Sequence, residues 1–131
     1  MAKRNAMAVL AVCLVAGALS VAIPATAFTL AWQHTVEKLL WEEDYVVAGD
    51  WLYLSGARIR GSGAGMEPPA GAILQDGAWR YRPEIRWHRE IRLARSEFGT
   101  DYRLCVEGRC RTFAELIGPP AGAVTLAPCL R

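Results

Sequence analysis

Apolar and polar residues alternate along most of the chain after residue 27, and this pattern constrains the fold more than any other feature of the sequence. Aromatic and β-branched residues dominate the apolar positions, and turn residues interrupt the pattern roughly every 8 to 12 residues. A period of two residues is typical of strands that bury one face, whereas no long segment has the period of a helix. The sequence therefore predicts an all-β fold, either a small antiparallel sandwich or a partly open barrel.

The strongest strand signals lie in the first half of this region. We predict strands over residues 28–36, 39–47 and 51–60, joined by short turns, and a last strand over 123–129. Between them, Asp76-Gly77 suits the type I′ turn that matches the twist of a two-stranded hairpin.

Two segments closer to the C-terminus have signals of their own. Residues 85–93 alternate as one further strand, which places His88 on its charged and solvated face. Thr112 and Glu115 have the spacing of a capping box, and Gly118 follows soon after. This combination predicts one short helix near the C-terminus.

The first 27 residues are typical of an export signal. They contain a positive start at Lys3 and Arg4, an apolar run over 6–23 and an A-x-A cleavage site at 25–27. We therefore predict removal of residues 1–27 and a mature, single exported domain over 28–131. The apolar run is shorter than the roughly 20 residues of a membrane span. An uncleaved signal that anchors the chain in the inner membrane is the alternative, and it is the only route to a membrane that the sequence offers.

Removing the signal changes the charge balance of the chain. Lys3 and Arg4 are two of its 15 basic residues, so 13 remain to match the 13 acidic residues. A nearly neutral domain has no electrostatic affinity for nucleic acid or for acidic membranes. We therefore expect neither as a partner.

Three cysteines remain beyond the predicted cleavage site. A hairpin around Glu107-Gly108 places Cys105 opposite Cys110, which predicts a cross-strand disulfide in an oxidising compartment. Cys129 is then left without a partner.

A register argument brings polar residues together on an apolar face of the first three strands. If the first turn lies between Lys38 and Leu39, His34 lies opposite Glu43. If Gly49-Asp50 forms the next turn, Glu43 lies opposite Gly56 and close to Arg58. An unpaired carboxylate in apolar surroundings is costly, so Glu43 should pair with His34, Arg58 or a backbone donor. The group is either a buried pair that fixes the register or the polar floor of a binding pocket.

The third predicted strand runs into a glycine-rich loop, "GSGAGMEPPAGA" over 61–72. Gly61, Gly63 and Gly65 match neither the Walker pattern nor the dinucleotide fingerprint. The sequence Met66-Glu67-Pro68-Pro69 then stiffens the chain, which is unlike a flexible linker. We interpret the loop as a shaped lip beside the polar group.

The same residues do not predict catalysis or metal binding. Zinc takes three or four His, Cys or carboxylate ligands, and only His34 and Glu43 converge. An enzyme would use His34 as a general base polarised by Glu43, but the sequence has no nucleophile elbow and no oxyanion arrangement. We therefore predict neither an enzyme nor a cofactor.

Three segments carry a resemblance to a known family: "WQHTVEKLLWEEDY", "ARIRGSGAGMEPPAGA" and "WRYRP". They resemble the bacterial exported proteins catalogued as domain of unknown function 1850, whose first motif usually has the form H-S-V-E. Members are commonly encoded beside tripartite ATP-independent periplasmic (TRAP) transporters. The resemblance therefore implies a periplasmic accessory to solute uptake. The motif positions that it carries over are His34, Thr35, Val36, Glu37, Glu43, Gly61, Gly63, Gly65, Met66 and Glu67.

Two functional hypotheses follow. The first is a non-enzymatic periplasmic protein that binds a small anionic solute or a TRAP transporter subunit, with Arg58, Arg60 and Lys38 favouring an anion. The alternative is an envelope interaction or scaffold domain without a solute site. Such a domain would dock a partner through an exposed sheet edge or the "MEPPAG" loop.

Overall fold

The computed structural model describes residues 8–33, 39–61 and 67–131. Within these ranges the chain forms strands and one short helix, and no helix is long and apolar enough to cross a membrane. The strands are β1 (Leu10–Ala16), β2 (Leu19–Pro24), β3 (Ala27–Gln33), β4 (Leu40–Ala48), β5 (Trp51–Arg60), β6 (Ile73–Gln75), β7 (Ala78–Tyr81), β8 (Trp87–His88), β9 (Ile91–Leu93), β10 (Arg103–Val106), β11 (Arg109–Thr112) and β12 (Val124–Leu130), and the helix is α1 (Phe113–Ile117).

The strands form two open antiparallel sheets. The smaller sheet has the order β2-β1-β12-β9, and the larger has the order β11-β10-β3-β4-β5-β7-β6, with β8 also beside β5. Both sheets contribute to one apolar core, which includes Val12 and Leu126 from the smaller sheet and Leu30 and Leu52 from the larger. The predicted all-β class and short C-terminal helix are confirmed, and the sheets do not close into a barrel.

The predicted turns are confirmed because their signals are local. Ala48 pairs with Trp51, so Gly49-Asp50 is a two-residue turn. Asp76 and Gly77 have φ angles of 52° and 76°, and both positive values are those that a type I′ turn requires. The hairpin around Glu107-Gly108 aligns Cys105 with Cys110, and the two form the predicted disulfide.

A network of hydrogen bonds holds the helix α1 in place. The Thr112 hydroxyl accepts from the Glu115 amide at 3.1 Å, and the Glu115 carboxylate accepts from the Thr112 amide at 2.9 Å, which completes the predicted capping box. Asp101 accepts from the Ala114 amide at 2.7 Å and forms an ion pair with Arg95 at 3.1 Å. Arg95, whose side chain is 2% exposed, also donates to the carbonyl of Gly118 at 3.0 Å.

The segment predicted as an export signal contains the strands β1 and β2. β1 pairs with β12 from Leu10 opposite Leu130 to Val15 opposite Thr125. Val12 and Leu14 are fully buried, and Cys13 forms a disulfide with Cys129. The prediction that Cys129 lacks a partner is therefore wrong for the full chain. Removal of residues 1–27 stays a prediction, and it would take this hairpin out of the core.

The two disulfides bear on the compartment in which the protein folds. Together they pair all four cysteines of the chain. Disulfides of this kind are typical of an oxidising, extracytoplasmic compartment.

The prediction of one strand over 85–93 is wrong. β8 pairs with β5 in the larger sheet, whereas β9 pairs with β12 in the smaller sheet. The chain crosses from one sheet to the other at Arg89-Glu90, so a two-residue period cannot assign faces across that point. His88 lies opposite Leu52, and therefore on the inner face of the larger sheet instead of the predicted solvated ladder.

Candidate functional site

The pairing of β3 with β4 differs from the predicted register by four residues. Glu43 lies opposite Leu30, and Trp32 lies opposite Trp41. The predicted pairing of Glu43 with His34 is therefore wrong. An even shift leaves every side chain on the same face, so the apolar pattern fits both registers equally well.

A β-bulge separates Glu43 from Arg58. Tyr45 lies opposite Leu54 as predicted, but the next pair is Asp44 with Gly56, so Ser55 is an extra residue in β5. Because side chains alternate between the two faces, one extra residue moves every later side chain of the strand to the face opposite the one expected without the bulge. Arg58 therefore lies opposite Glu42, on the outer face of the sheet, and not beside Glu43 as predicted.

Arg58 belongs to an ion-pair ladder on that outer face. It donates to both carboxylate oxygens of Asp44 and, at 3.4 Å, to Glu42, which also pairs with Arg60 at 2.7 Å. The Thr29 hydroxyl donates to Asp44 at 2.7 Å. Burial opposes ionisation of Asp44, but the hydrogen bonds from Arg58 and Thr29 outweigh it and hold the pKa of Asp44 below its ordinary value. Arg58 and Arg60 are thus paired with acids, which weakens the expectation that they favour an anion.

Glu43 lies on the inner face, within a row of residues across four strands. Its neighbours in this row are Leu30 on β3 and Ala57 on β5, and Ala57 in turn lies opposite Tyr81 on β7. The Tyr45 hydroxyl donates a hydrogen bond of 2.8 Å to the Glu43 carboxylate. Burial raises the pKa of Glu43, although this hydrogen bond and the charge of His88 both lower it. Burial, and then the charge of Glu43, raise the pKa of Tyr81.

His88 completes this polar group on the inner face. Its ring meets the Tyr45 ring edge-on, with centroids 6.3 Å apart. The Nε2 atom of His88 is buried, and no described residue makes a hydrogen bond with it. Buried polar atoms normally have a partner, so a ligand or a water molecule that reached this atom would gain a hydrogen bond.

Glu43 and His88 line one cleft of about 610 Å³. The other lining residues are Tyr45, Leu54, Pro83, Glu84, Ile85, Glu90, Ile91 and Arg92. Glu84, Glu90 and Arg92 are exposed, whereas Glu43 and His88 are half-buried, so the cleft has a partly shielded polar group inside and charged residues at its mouth. Within residues 8–33, 39–61 and 67–131, no three His, Cys, Asp or Glu side chains are placed to hold a metal ion.

The family model that matches this chain is the domain of unknown function DUF1850, over residues 28–113. This chain belongs to the DUF1850 family. The DUF1850 match covers the strands from β3 to β11, except for Ala27 at the start of β3, and includes Glu43, Tyr45, Tyr81 and His88. Searches of the curated proteins and of the solved structures found no match to the chain.

The structure places four of the predicted site residues of this DUF1850 domain. Glu43 lies in the cleft, whereas Arg58 lies on the opposite face. Gly61 directly follows β5 with a φ angle of 118°, and Glu67 is exposed at the start of the next described segment. The remaining predicted residues, His34, Thr35, Glu37, Gly63, Gly65 and Met66, lie outside the described residues, so the lip stays a prediction.

Sequence reasoning did not include Tyr45 and His88 among the site residues of this DUF1850 domain, although both line the cleft. The spacing of Glu43 and Tyr45 in one strand was a usable signal, since residues two apart share a face. Nothing local indicates that His88 joins them, because that depends on where the chain leaves the larger sheet.

Proposed function

We propose that this DUF1850 protein is a non-enzymatic periplasmic accessory to TRAP-type solute uptake, and that it binds a small solute in the Glu43 cleft. One observation carries the proposal: the buried Nε2 atom of His88 has no partner among the described residues, and His88 lines a cleft that also holds the half-buried Glu43 carboxyl. The two disulfides support the extracytoplasmic location, and the family resemblance supports the link to uptake.

The chemistry of the cleft selects a class of solute. Glu43 and His88 together suit a hydroxyl group, because a hydroxyl both donates and accepts hydrogen bonds. Arg92 at the mouth suits a carboxylate. Glu84 and Glu90 beside it disfavour a second negative charge. The preferred ligand is therefore a small hydroxylated monocarboxylate, which keeps the anion that the sequence predicts and moves its cationic partner from Arg58 to Arg92.

Imidazole NMR spectra test this directly, since the chain has only two histidines. Lactate and propionate form a matched pair that differs in one hydroxyl group. We expect lactate to shift the ring signals of His88 in a saturable manner and propionate to bind at least about tenfold more weakly. His88→Ala assigns the signal, and Glu43→Gln should weaken lactate binding.

Further variants and spectra separate the possible outcomes. Arg92→Ala should reduce the preference for lactate over glycerol, which has hydroxyl groups but no carboxylate. Equal shifts with lactate and propionate would contradict the proposed role of Glu43 and His88. Conversion of a bound solute in the same spectra would contradict the non-enzymatic part of the proposal.

The link to the transporter has its own experiment. Affinity purification of the protein from the periplasm should recover a TRAP solute-binding subunit or its membrane component. Recovery should be retained by His88→Ala if docking and solute binding use different surfaces. Absence of every transporter component would remove the uptake role and leave solute binding intact.

A specific observation also favours the alternative of an interaction domain without a solute site. β6 is an edge strand of the larger sheet, with Ile73 68% exposed and Leu74 58% exposed, and it closely follows Pro68-Pro69. An exposed apolar edge can accept a strand from a partner. Loss of partner recovery on deletion of residues 67–70, with no solute shifting His88, would favour this alternative.

A further inference from the structure

The outer face of the larger sheet carries an aromatic groove at the end opposite to the ion-pair ladder. Val46, Tyr53 and Trp87 lie side by side on β4, β5 and β8. Trp87 is 55% exposed and Val46 is 39% exposed, although the Tyr53 and Trp87 rings lie with centroids 4.6 Å apart. Together with Ala48, Arg82 and Arg86 they line a groove of about 390 Å³. Exposed clusters of large apolar side chains usually mark a contact surface.

The charges around this groove have one sign. Arg82 and Arg86 line it, and the guanidinium of Arg89 lies 4.3 Å above the ring of Trp51, which itself contacts Trp87. No lining residue is acidic. In the part of the chain that the structure describes, neither Arg82 nor Arg86 forms an ion pair with a carboxylate. Two arginines elsewhere on this face behave differently, since Arg58 and Arg60 are paired with Glu42 and Asp44.

We infer that this groove, termed the Trp87 groove, docks an acidic segment of a partner protein that inserts an apolar side chain against Trp87. Aromatic residues and arginine are the residue types that contribute most to protein interfaces. A shallow groove on a sheet face suits an extended segment better than a small solute, which prefers an enclosed pocket. The near-neutral charge of the whole chain disfavours a polyanion such as nucleic acid. The inference does not depend on the Glu43 cleft, which lies on the opposite face of the sheet.

Fluorescence anisotropy with labelled peptides tests the inference on the full chain with both disulfides formed. The probe is a peptide of about ten residues in which glutamates flank one phenylalanine. One matched peptide has lysine in place of glutamate, and another has alanine in place of phenylalanine. We expect only the first to bind, with an affinity that falls as salt concentration rises.

Two charge-reversal variants make the test specific. Arg82→Glu with Arg86→Glu should weaken binding of the acidic peptide at least about tenfold. The matched control is Arg109→Glu with Arg111→Glu, which makes the same charge change on β11 at the far edge of the larger sheet. The affinity of that control for the acidic peptide should stay within about twofold of the affinity of the unmodified protein. Trp87→Ala should weaken binding about thirtyfold, and thermal unfolding of each variant establishes that it is folded.

Several outcomes would overturn the inference. They are equal binding of the lysine peptide, no binding of the acidic peptide at millimolar concentration, and an unchanged affinity in the Arg82 and Arg86 double variant. Complete competition by free glutamate would identify a site for small anions instead of a docking surface. Equal binding of a single-stranded oligonucleotide would identify general attraction to polyanions.

Discussion

A single extra residue in β5, Ser55, determines which charged side chains lie on each face of the larger sheet. Without the bulge, Arg58 would share a face with Glu43 and lie diagonally across from it, within reach of an ion pair. With it, Arg58 joins Asp44 and Glu42 on the outer face. Glu43 is left with Tyr45 as its hydrogen-bond donor and no arginine opposite it. The bulge therefore keeps a half-buried carboxyl without a cationic neighbour in the same row of the sheet.

Glu43 should make the stability of the protein depend on pH. Burial raises its folded-state pKa above the ordinary value of 4.5, so the protein loses stability as pH rises from that value through the folded-state pKa. Glu43→Gln keeps an acceptor for the Tyr45 hydroxyl and removes the charge. We expect it to unfold a few degrees higher than the unmodified protein near pH 8, and at about the same temperature near pH 4. Thermal unfolding followed by circular dichroism measures this difference.

The control for this prediction is Glu97→Gln, which removes an exposed carboxylate from a loop. A surface change of that kind should alter stability little at either pH. If Glu43→Gln were less stable than the unmodified protein at the higher pH, the ionised carboxylate would have a stabilising partner and the argument from burial would fail.

Among the elements, α1 is too short to be stable by itself, and its attachment rests on Asp101 as well as on its own capping box. Asp101 connects the first turn of the helix to the buried guanidinium of Arg95. Asp101→Ala leaves that guanidinium without its carboxylate and should cost about 3 kcal/mol. Thr112→Ala removes only the capping hydroxyl and should cost about 1 kcal/mol. Chemical denaturation measures both, and equal losses would show that the Arg95 pair contributes little.

The hairpin of β1 and β2 should be required for the fold. Val12, Leu14 and Ile23 bury their side chains in the common core, and each contributes about 2 kcal/mol by that burial. A chain that begins at Phe28 also leaves Leu126 and Pro128 on β12 without their partners on β1, Leu14 and Val12. We expect such a chain to lack a cooperative thermal transition. A transition like that of the full chain would show instead that residues 28–131 fold alone, as the cleavage prediction requires.

The elements also show what the sequence could and could not predict. Turns at Asp76-Gly77 and Glu107-Gly108, and the cap at Thr112, were predictable because each depends on residues a few positions apart. The register of β3 against β4 was not predictable, because a shift by an even number of residues leaves the same side chains on the apolar face. The place of His88 was not predictable either, since the chain changes sheets at Arg89-Glu90 without a glycine or proline to mark it.

In the whole molecule, the two disulfides should differ in their effect on stability. The Cys13–Cys129 bridge spans a sequence separation of 116 residues, whereas the Cys105–Cys110 bridge spans 5. The entropy of loop closure gives contributions of about 5 and about 2 kcal/mol respectively. Replacing both cysteines of the first pair with serine should therefore lower the free energy of unfolding more than the same change in the second pair. Urea denaturation of the two double variants is the measurement, and the reverse order would contradict the loop-closure argument.

The bridge between Cys13 and Cys129 has a further consequence, which concerns what happens when the backbone is cut. Any single cut between these two residues leaves two fragments that remain covalently joined. The same holds for a cut after residue 27. If the bridge forms before the cut, a peptidase acting there releases no fragment. The hairpin of β1 and β2 then stays attached to the rest of the protein through the disulfide bond. Such a nicked protein has the mass of one molecule plus one water until it is reduced, and only then separates into two pieces. Mass measurements before and after reduction therefore distinguish an intact chain, a nicked chain and a chain that has lost its first strands.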